Sequence, residues 1–444
     1  YYAWALLAAG QIDQVEDNLL AAEAGLETTR HDVTERERRT VHGEIAVVRG
    51  MLSMIVEQKP AFEFPAKASE LLPADNWLIG LNQFNLGFAH LWRGDIEQAD
   101  TALHAAIESS LKANNLYVAA LSITMHGMFH GYWGELNEAE IMYKRGVASL
   151  GQERMKLPIA YLIQYVKAEL DRERGDLQAA RDLLEKVIEN LTRLENPELV
   201  VEPHISLARA CFSLGDHKGA FQVMDTIDAI CDSPLVMTWS RVQVNSHYAR
   251  LLMRAGELDR AGWRLNLALH SMEQIAHIIE SSYVPFYRDY TAFTEIRLKL
   301  AQGRAEEARV MIDEHLKSIK GEVPRATRIE AGILRALALH VIEAHAHRVY
   351  RGMAETLAIA QPHRYVRMFA DEGPVVGEIL HHIPKKLLDQ HDISADYVGQ
   401  LIEASGYQPA SAQSADPQAA LVEPLSEREL EVLQLIGEGF PNQA

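Results

Sequence analysis

The sequence predicts an all-α protein, a superhelical array of α-hairpins that recur about every 40 residues. Three observations predict it. A turn signal, glycine followed by a polar or acidic residue, recurs at Gly94-Asp95, Gly134-Glu135, Gly175-Asp176, Gly215-Asp216 and Gly256-Glu257, with spacings of 40, 41, 40 and 41. Five residues after each glycine stands Ala99, Ala139, Ala180, Ala220 or Ala261. Seven residues before it stands Gly87, Gly127, Ala168, Ala208 or Ala249.

Each element has a physical reason. The glycine closes one helix, because a left-handed C-cap is cheapest for a residue without Cβ, and a second helix follows. The two small positions let the paired helices approach closely. Weaker copies at Gly10-Gln11, Gly50-Met51 and Gly303-Arg304 bring the candidate units to eight. Ala308, Ala3 and Gly43 keep the pattern in these copies, whereas Ile296 breaks it. The stretch from Gly50 to Gly94, with Pro60, Pro65 and Pro73, departs from the motif and is read as a shifted or lengthened connection. Each unit can bury its apolar face only against its neighbours, so the units stack into a superhelix whose concave groove is the natural ligand surface.

This arrangement resembles the tetratricopeptide repeat, whose usual unit is 34 residues. The longer period here is similar to the repeats in the regulatory domain of MalT-like transcription activators. The stretch Tyr365-Val366-Arg367-Met368-Phe369-Ala370-Asp371-Glu372-Gly373 resembles the segment that ends that repeat domain. Near the C-terminus, Ser426 with Glu429 makes a capping box, Leu430, Val432, Leu433 and Ile436 supply an apolar stripe, and Gly439 stops the helix. This run is similar to the first helix of a LuxR-type helix-turn-helix domain. The recognition helix of such a domain would lie beyond Ala444, so no residue of this fragment is expected to bind DNA.

The expected organisation is therefore helical repeats over 1–330, C-terminal helices closing them over 331–403, an Ala/Ser/Gln/Pro-rich linker over 404–424 and the start of a truncated helix-turn-helix domain over 425–444. Tyr1-Tyr2-Ala3-Trp4 already lies within an apolar helical pattern, and the chain is read as a fragment of a longer protein.

Composition excludes several function classes. A net charge of -19 opposes binding of a polyanion by the chain as a whole. Cys211 and Cys231 form neither a disulfide framework nor a CxxC site, which fits a cytoplasmic location. No apolar run reaches the roughly 20 residues that span a bilayer, so no membrane partner is expected. The chain has no Gly-Lys dipeptide and hence no P-loop, so no cofactor is expected in it. The resemblance implies an ATP-binding domain of the signal-transducing ATPase type upstream of Tyr1. No HExxH, GxSxG or other catalytic set is present, so the protein is not expected to be an enzyme. The close histidine pairs, His345 with His347 and His381 with His382, are read as solvated, and no metal site is expected.

Candidate site residues come from the groove. Six residues before the turn glycine stand Arg209, Arg250 and Arg297 in three successive units, with Phe88, Met128 and Glu169 in earlier ones. The resemblance places this offset on the concave surface. A ladder of guanidinium groups suits an anionic or hydroxyl-rich effector, and Tyr165, Tyr290 and Phe293 fall at other inward offsets. The plainer alternative is that the arginines pair with acidic residues of neighbouring helices. Trp77, Phe84, Phe88 and Trp92 are read as inter-repeat core along one helix, with docking of a ligand or partner as the alternative.

The expected function is an effector-sensing and protein-interaction regulatory domain of a LuxR-type, MalT-like transcription activator. Its partner is a small-molecule effector or a regulatory protein of unknown identity, with DNA reached only through the missing part of the helix-turn-helix domain. Self-association of the intact protein is a further expected interaction. The alternative is a tetratricopeptide-type adaptor that binds a protein or peptide in its groove and has no transcription role.

Overall fold

The computed structural model describes residues 1–28, 33–57, 61–276, 285–319, 322–342 and 346–409, with 285–287 described by backbone alone. Every regular element among them is helical. The first hairpins pair α1 (Tyr2–Ala8) with α2 (Val15–Thr28), α3 (Glu35–Val56) with α4 (Glu63–Leu71), and α5 (Ile79–Arg93) with α6 (Ile96–Lys112). Next come α7 (Leu116–Trp133) with α8 (Leu136–Arg154), α9 (Tyr161–Arg174) with α10 (Leu177–Thr192), and α11 (Val201–Ser213) with α12 (His217–Ile230). The last hairpins are α13 (Thr238–Arg254) with α14 (Leu258–Gln274), α15 (Pro285–Ala301) with α16 (Ala305–Ser318), and α17 (Arg325–Val341) with α18 (Ala346–Ala360). Four short helices follow: α19 (Arg367–Ala370), α20 (Pro374–His381), α21 (Lys385–Gln390) and α22 (Ala395–Ala404).

The repeat physics is visible at each turn. Gly10, Gly94, Gly134, Gly175, Gly215, Gly256 and Gly303 all have left-handed φ, between 73° and 92°. Ala99, Ala139, Ala180, Ala220, Ala261 and Ala308 are buried, as are Ala168, Ala208 and Ala249 on the preceding helices. At Gly87, where an alanine would stand in later units, a Cβ would lie 2.9 Å from Leu103 of α6. These positions are small because the paired backbones leave no room, and overpacking them would strain the core.

One expected unit is different. Gly50 is no turn, because α3 runs through it to Val56. The glycine instead makes space for Asn85 of α5, whose Nδ2 donates to the Val47 carbonyl at 3.0 Å and would stand 3.0 Å from any Cβ at Gly50. The lengthened connection after it carries the short α4. Trp77 precedes α5 rather than sharing its helix and stacks on Tyr1. Phe84, Phe88 and Trp92 are buried core, as expected.

The first helices of successive hairpins line the inside of the superhelix. They touch one another from α5 to α17, and the array winds far enough for α17 to meet α7. At this closure the Cβ of any residue replacing Gly134 would lie 2.5 Å from the Ala326 backbone nitrogen, and Arg325 donates to the Gly134 carbonyl at 3.2 Å. The boundary expected at 330/331 falls inside α17, which with α18 forms one more hairpin of the array. Its apolar residues join those of α7–α14 and α20–α22 in one large core. Among the described residues no helix is long and apolar enough to cross a membrane. Of the linker expected over 404–424, Ala404 ends α22 and Ser405 is buried, while 410 onward and residues 425–444, including the Ser426–Glu429 capping box, lie outside the described residues, as does His345.

Candidate functional site

The inner wall of the superhelix encloses a cavity of about 510 Å³ between α7 and α19, and a second of about 220 Å³ towards the N-terminal hairpins. Met128 and Tyr132 of α7 line both. The six residues named at the inward offset reach these cavities: Phe88 lines the smaller, Met128 both, and Glu169, Arg209, Arg250 and Arg297 the larger. The repeat register therefore does carry these side chains to the concave face.

The larger cavity is a network of charge. Six arginines line it (Arg172, Arg209, Arg250, Arg254, Arg297 and Arg367), together with Glu169, Glu173, Asp289, Glu330, Asp371 and Glu372. Arg172, 2% exposed, bridges Glu169 at 2.7 Å and Glu173 at 2.9 Å. Arg297 pairs with Glu330 at 2.6 Å and with Glu372. Arg250 reaches Glu330 at 3.1 Å, and its Nε donates to Thr294 Oγ1 at 2.9 Å. Of the three ladder arginines Arg209 has the loosest pairing, with Glu169 3.6 Å away.

The segment expected to end the repeat domain is the lid of this network. After α18 the chain turns through Arg364, whose φ is 58°, and enters the superhelix. Val366 N–H donates to the Glu173 carbonyl at 3.1 Å and Met368 N–H to the Glu173 carboxylate at 2.8 Å. Asp371 accepts from Ser213 at 3.0 Å, pairs with Arg367 on its own helix and lies 3.6 Å from Arg254. Tyr365, Val366 and Phe369 are fully buried beneath it. The two acids of the Asp-Glu-Gly run thus neutralise arginines presented by the repeats, which gives this signature a physical role.

Protonation follows this pairing. Burial works against charge on Asp371, but Arg367, Arg254, Arg209 and Arg172 outweigh it and hold the carboxyl below its ordinary value. Glu330 is likewise held low by Arg250 and Arg297 against burial. The balance reverses at mid-cavity. Burial and the neighbouring Arg297 lower the Arg250 guanidinium to about 10, more than Glu330 recovers. Burial pushes His247 well down, and Arg209 and Arg250 push it further.

The predicted aromatic residues divide. Tyr290 lines the larger cavity edge-on to His247, with ring centroids 5.2 Å apart. Tyr165 lines the smaller one, its hydroxyl 3.4 Å from Ser206 Oγ. Phe293 does not face the groove: it is fully buried in a small core with Ile296, Ala308 and Ile312, because its position on α15 points at α16 and α17. Sequence reasoning missed Arg172, Arg254 and the acids that receive the ladder.

The smaller cavity is mostly apolar but holds two half-buried carboxyls. Glu198 accepts from Ser240 Oγ at 2.6 Å and from Met237 N–H at 3.0 Å. Burial, only partly offset by those bonds, pushes it up to about 8. Glu202 accepts from Tyr132 and from Gln243, and burial raises it too. A carboxyl whose folded pKa is raised stabilises the fold fully below its unfolded value and loses that contribution as pH rises through the folded value. Stability is therefore expected to fall between about pH 4.5 and 8. Glu198→Gln should flatten this slope, read as the melting temperature at pH 5.5 and 8.5; an unchanged slope would mean that Glu198 is not protonated at neutral pH.

An all-α superhelix of two-helix repeats around an enclosed, charge-lined cavity is a tetratricopeptide-type repeat domain. Its family is the MalT-like TPR region, whose sequence profile matches residues 43–386, well over half of the chain, and to which the chain belongs. The crystal structure of a Rap protein complexed with competence and sporulation factor has a similar fold, with a TM-score of 0.57, 15% identity, and 82% of this chain and 95% of that one covered. The TPR domain of P58(IPK) aligns over 88% of this chain and 97% of its own at 14% identity, with a TM-score of only 0.23. No curated protein matches the chain.

Proposed function

We propose that this chain is the effector-sensing regulatory region of a LuxR-type, MalT-like transcription activator, and that the larger cavity takes a small effector bearing an anionic group between Arg209 and Arg250. The observation that carries this is uneven neutralisation of the ladder. Arg297 is held by two carboxylates, whereas Arg209 has one at 3.6 Å, and Arg250 shares Glu330 with Arg297 and is depressed by burial and then by Arg297. A carboxylate or phosphate placed there gains charge-assisted hydrogen bonds without displacing an existing strong pair. Tyr290 and His247 offer a ring face and a polar edge beside it.

The route outward runs through the lid. Arg209 and Arg254 both act on Asp371, so an anion that draws Arg209 away weakens the hold on residues 365–373. The chain then continues through α20–α22 towards 425–444, where the sequence resembles the start of a DNA-binding domain. Effector binding would shift the population between lid-docked and lid-released forms. The adaptor reading, in which a peptide occupies the groove, remains the rival.

The test is a thermal-shift screen of the chain with sugar phosphates, dicarboxylates, nucleotides and short peptides. A ligand selective for the folded state raises its apparent stability, by about 2.7 kcal/mol at a hundredfold excess over Kd. The expected result is a shift from one anionic class that disappears in Arg209→Ala/Arg250→Ala. A shift that persists in that variant, or one produced by peptides alone, would overturn the assignment.

A further inference from the structure

We propose a divalent transition-metal site, of the zinc class, between α6 and α7, formed by Asp100, His126 and His130. His126 and His130 are four residues apart on α7 and so lie one above the other on one face. Both Nε2 atoms point at the same carboxylate oxygen: Asp100 Oδ1 is 2.6 Å from His126 Nε2 and 3.7 Å from His130 Nε2. The three ligand atoms lie within 4.8 Å of one another. This is the donor set of an open three-ligand zinc site, two imidazoles and one carboxylate with the fourth position left to water.

The surroundings fit a metal better than a simple hydrogen-bonded pair. The other ring nitrogen of His130, Nδ1, is 2.9 Å from Glu135 Oε2. A carboxylate on the remote nitrogen orients a ligating imidazole and raises its basicity. Glu135 stands there because the left-handed Gly134 turn brings it back under the helix end, where its N–H donates to the His130 carbonyl at 2.7 Å. His126 is 1% exposed and presents its Nε2 to the site from the buried face of α7.

Tetrahedral bonds of about 2.1 Å set ligand atoms about 3.4 Å apart. Asp100 need retreat from His126 by less than an ångström, and its side chain is 48% exposed and free to do so. Bound metal would join the third hairpin to the fourth, on the face of α7 opposite Met128 and Tyr132, which line both cavities.

The experiment titrates Zn²⁺, and separately Co²⁺, into the chelator-treated chain. The expected result is one equivalent bound, with a Co²⁺ visible spectrum of tetrahedral intensity that Zn²⁺ abolishes. His130→Gln and Asp100→Asn, both at partly exposed positions, should each weaken binding at least tenfold while the metal-free melting temperature stays within a few degrees. Glu135→Gln should weaken it by roughly tenfold. His381→Gln/His382→Gln should leave it unchanged. No saturable binding, an octahedral Co²⁺ spectrum, or equal binding by His130→Gln and Asp100→Asn would each overturn the site and leave a hydrogen-bonded histidine cluster.

Discussion

Asp371→Ala combined with Glu372→Ala is expected to release the lid and to cost about 3–5 kcal/mol, the range for removing one side of a buried ion pair. The cost arises mainly from what is left behind. Arg297 keeps Glu330 and the Phe293 carbonyl, while Arg254 and the buried Arg367 lose their shared carboxylate. In a repeat array such a loss stays local, so calorimetry should show a separate early transition for the C-terminal helices rather than a uniform drop. Acid should mimic the variant. Asp371 and Glu330 have folded values below their ordinary ones, so their contribution is fully present above about pH 4 and is lost as pH falls below it. A variant that melts as a single transition within about 1 kcal/mol of wild type would show that the acids do not anchor the lid.

The second large effect separates two arginines that look alike in the sequence. Arg297→Ala should cost about 3 kcal/mol, because it takes the ion pair from the largely buried Glu372 and leaves Glu330 with Arg250 alone, 3.1 Å away. Arg209→Ala should cost less than about 1 kcal/mol, because its one ion pair is long and Glu169 keeps Arg172 and Ser206. Denaturant melts of the two variants read the difference directly. Equal losses would mean that the ladder is uniformly structural and that no guanidinium is held in reserve for a ligand.

Much of this was legible in the sequence. The turn glycines and the alanines five residues beyond them are enforced by backbone geometry, so each unit repeats them and the period shows. The inward offset was legible for the same reason, since it is fixed by the register of one helix. What was not legible is pairing between distant segments. Nothing local marks Asp371 and Glu372 as partners of Arg254 and Arg297, because the lid returns from more than seventy residues away. Gly50 misled because a glycine that admits Asn85 mid-helix carries the same letter as one that ends a helix. Phe293 misled because an inward offset on a helix of the array's last turns points at another helix rather than at open space. His126 and His130 escaped notice among 19 scattered histidines, and the carboxylate that unites them is on another helix.

The ladder holds the segment 365–373 across the cavity. Amide hydrogen exchange at Val366 and Met368, whose N–H groups bond to Glu173, measures it most directly. Slow exchange is expected in the wild-type chain and fast exchange in Asp371→Ala/Glu372→Ala, with α9–α14 still protected. Exchange at the same rate in both chains would contradict it.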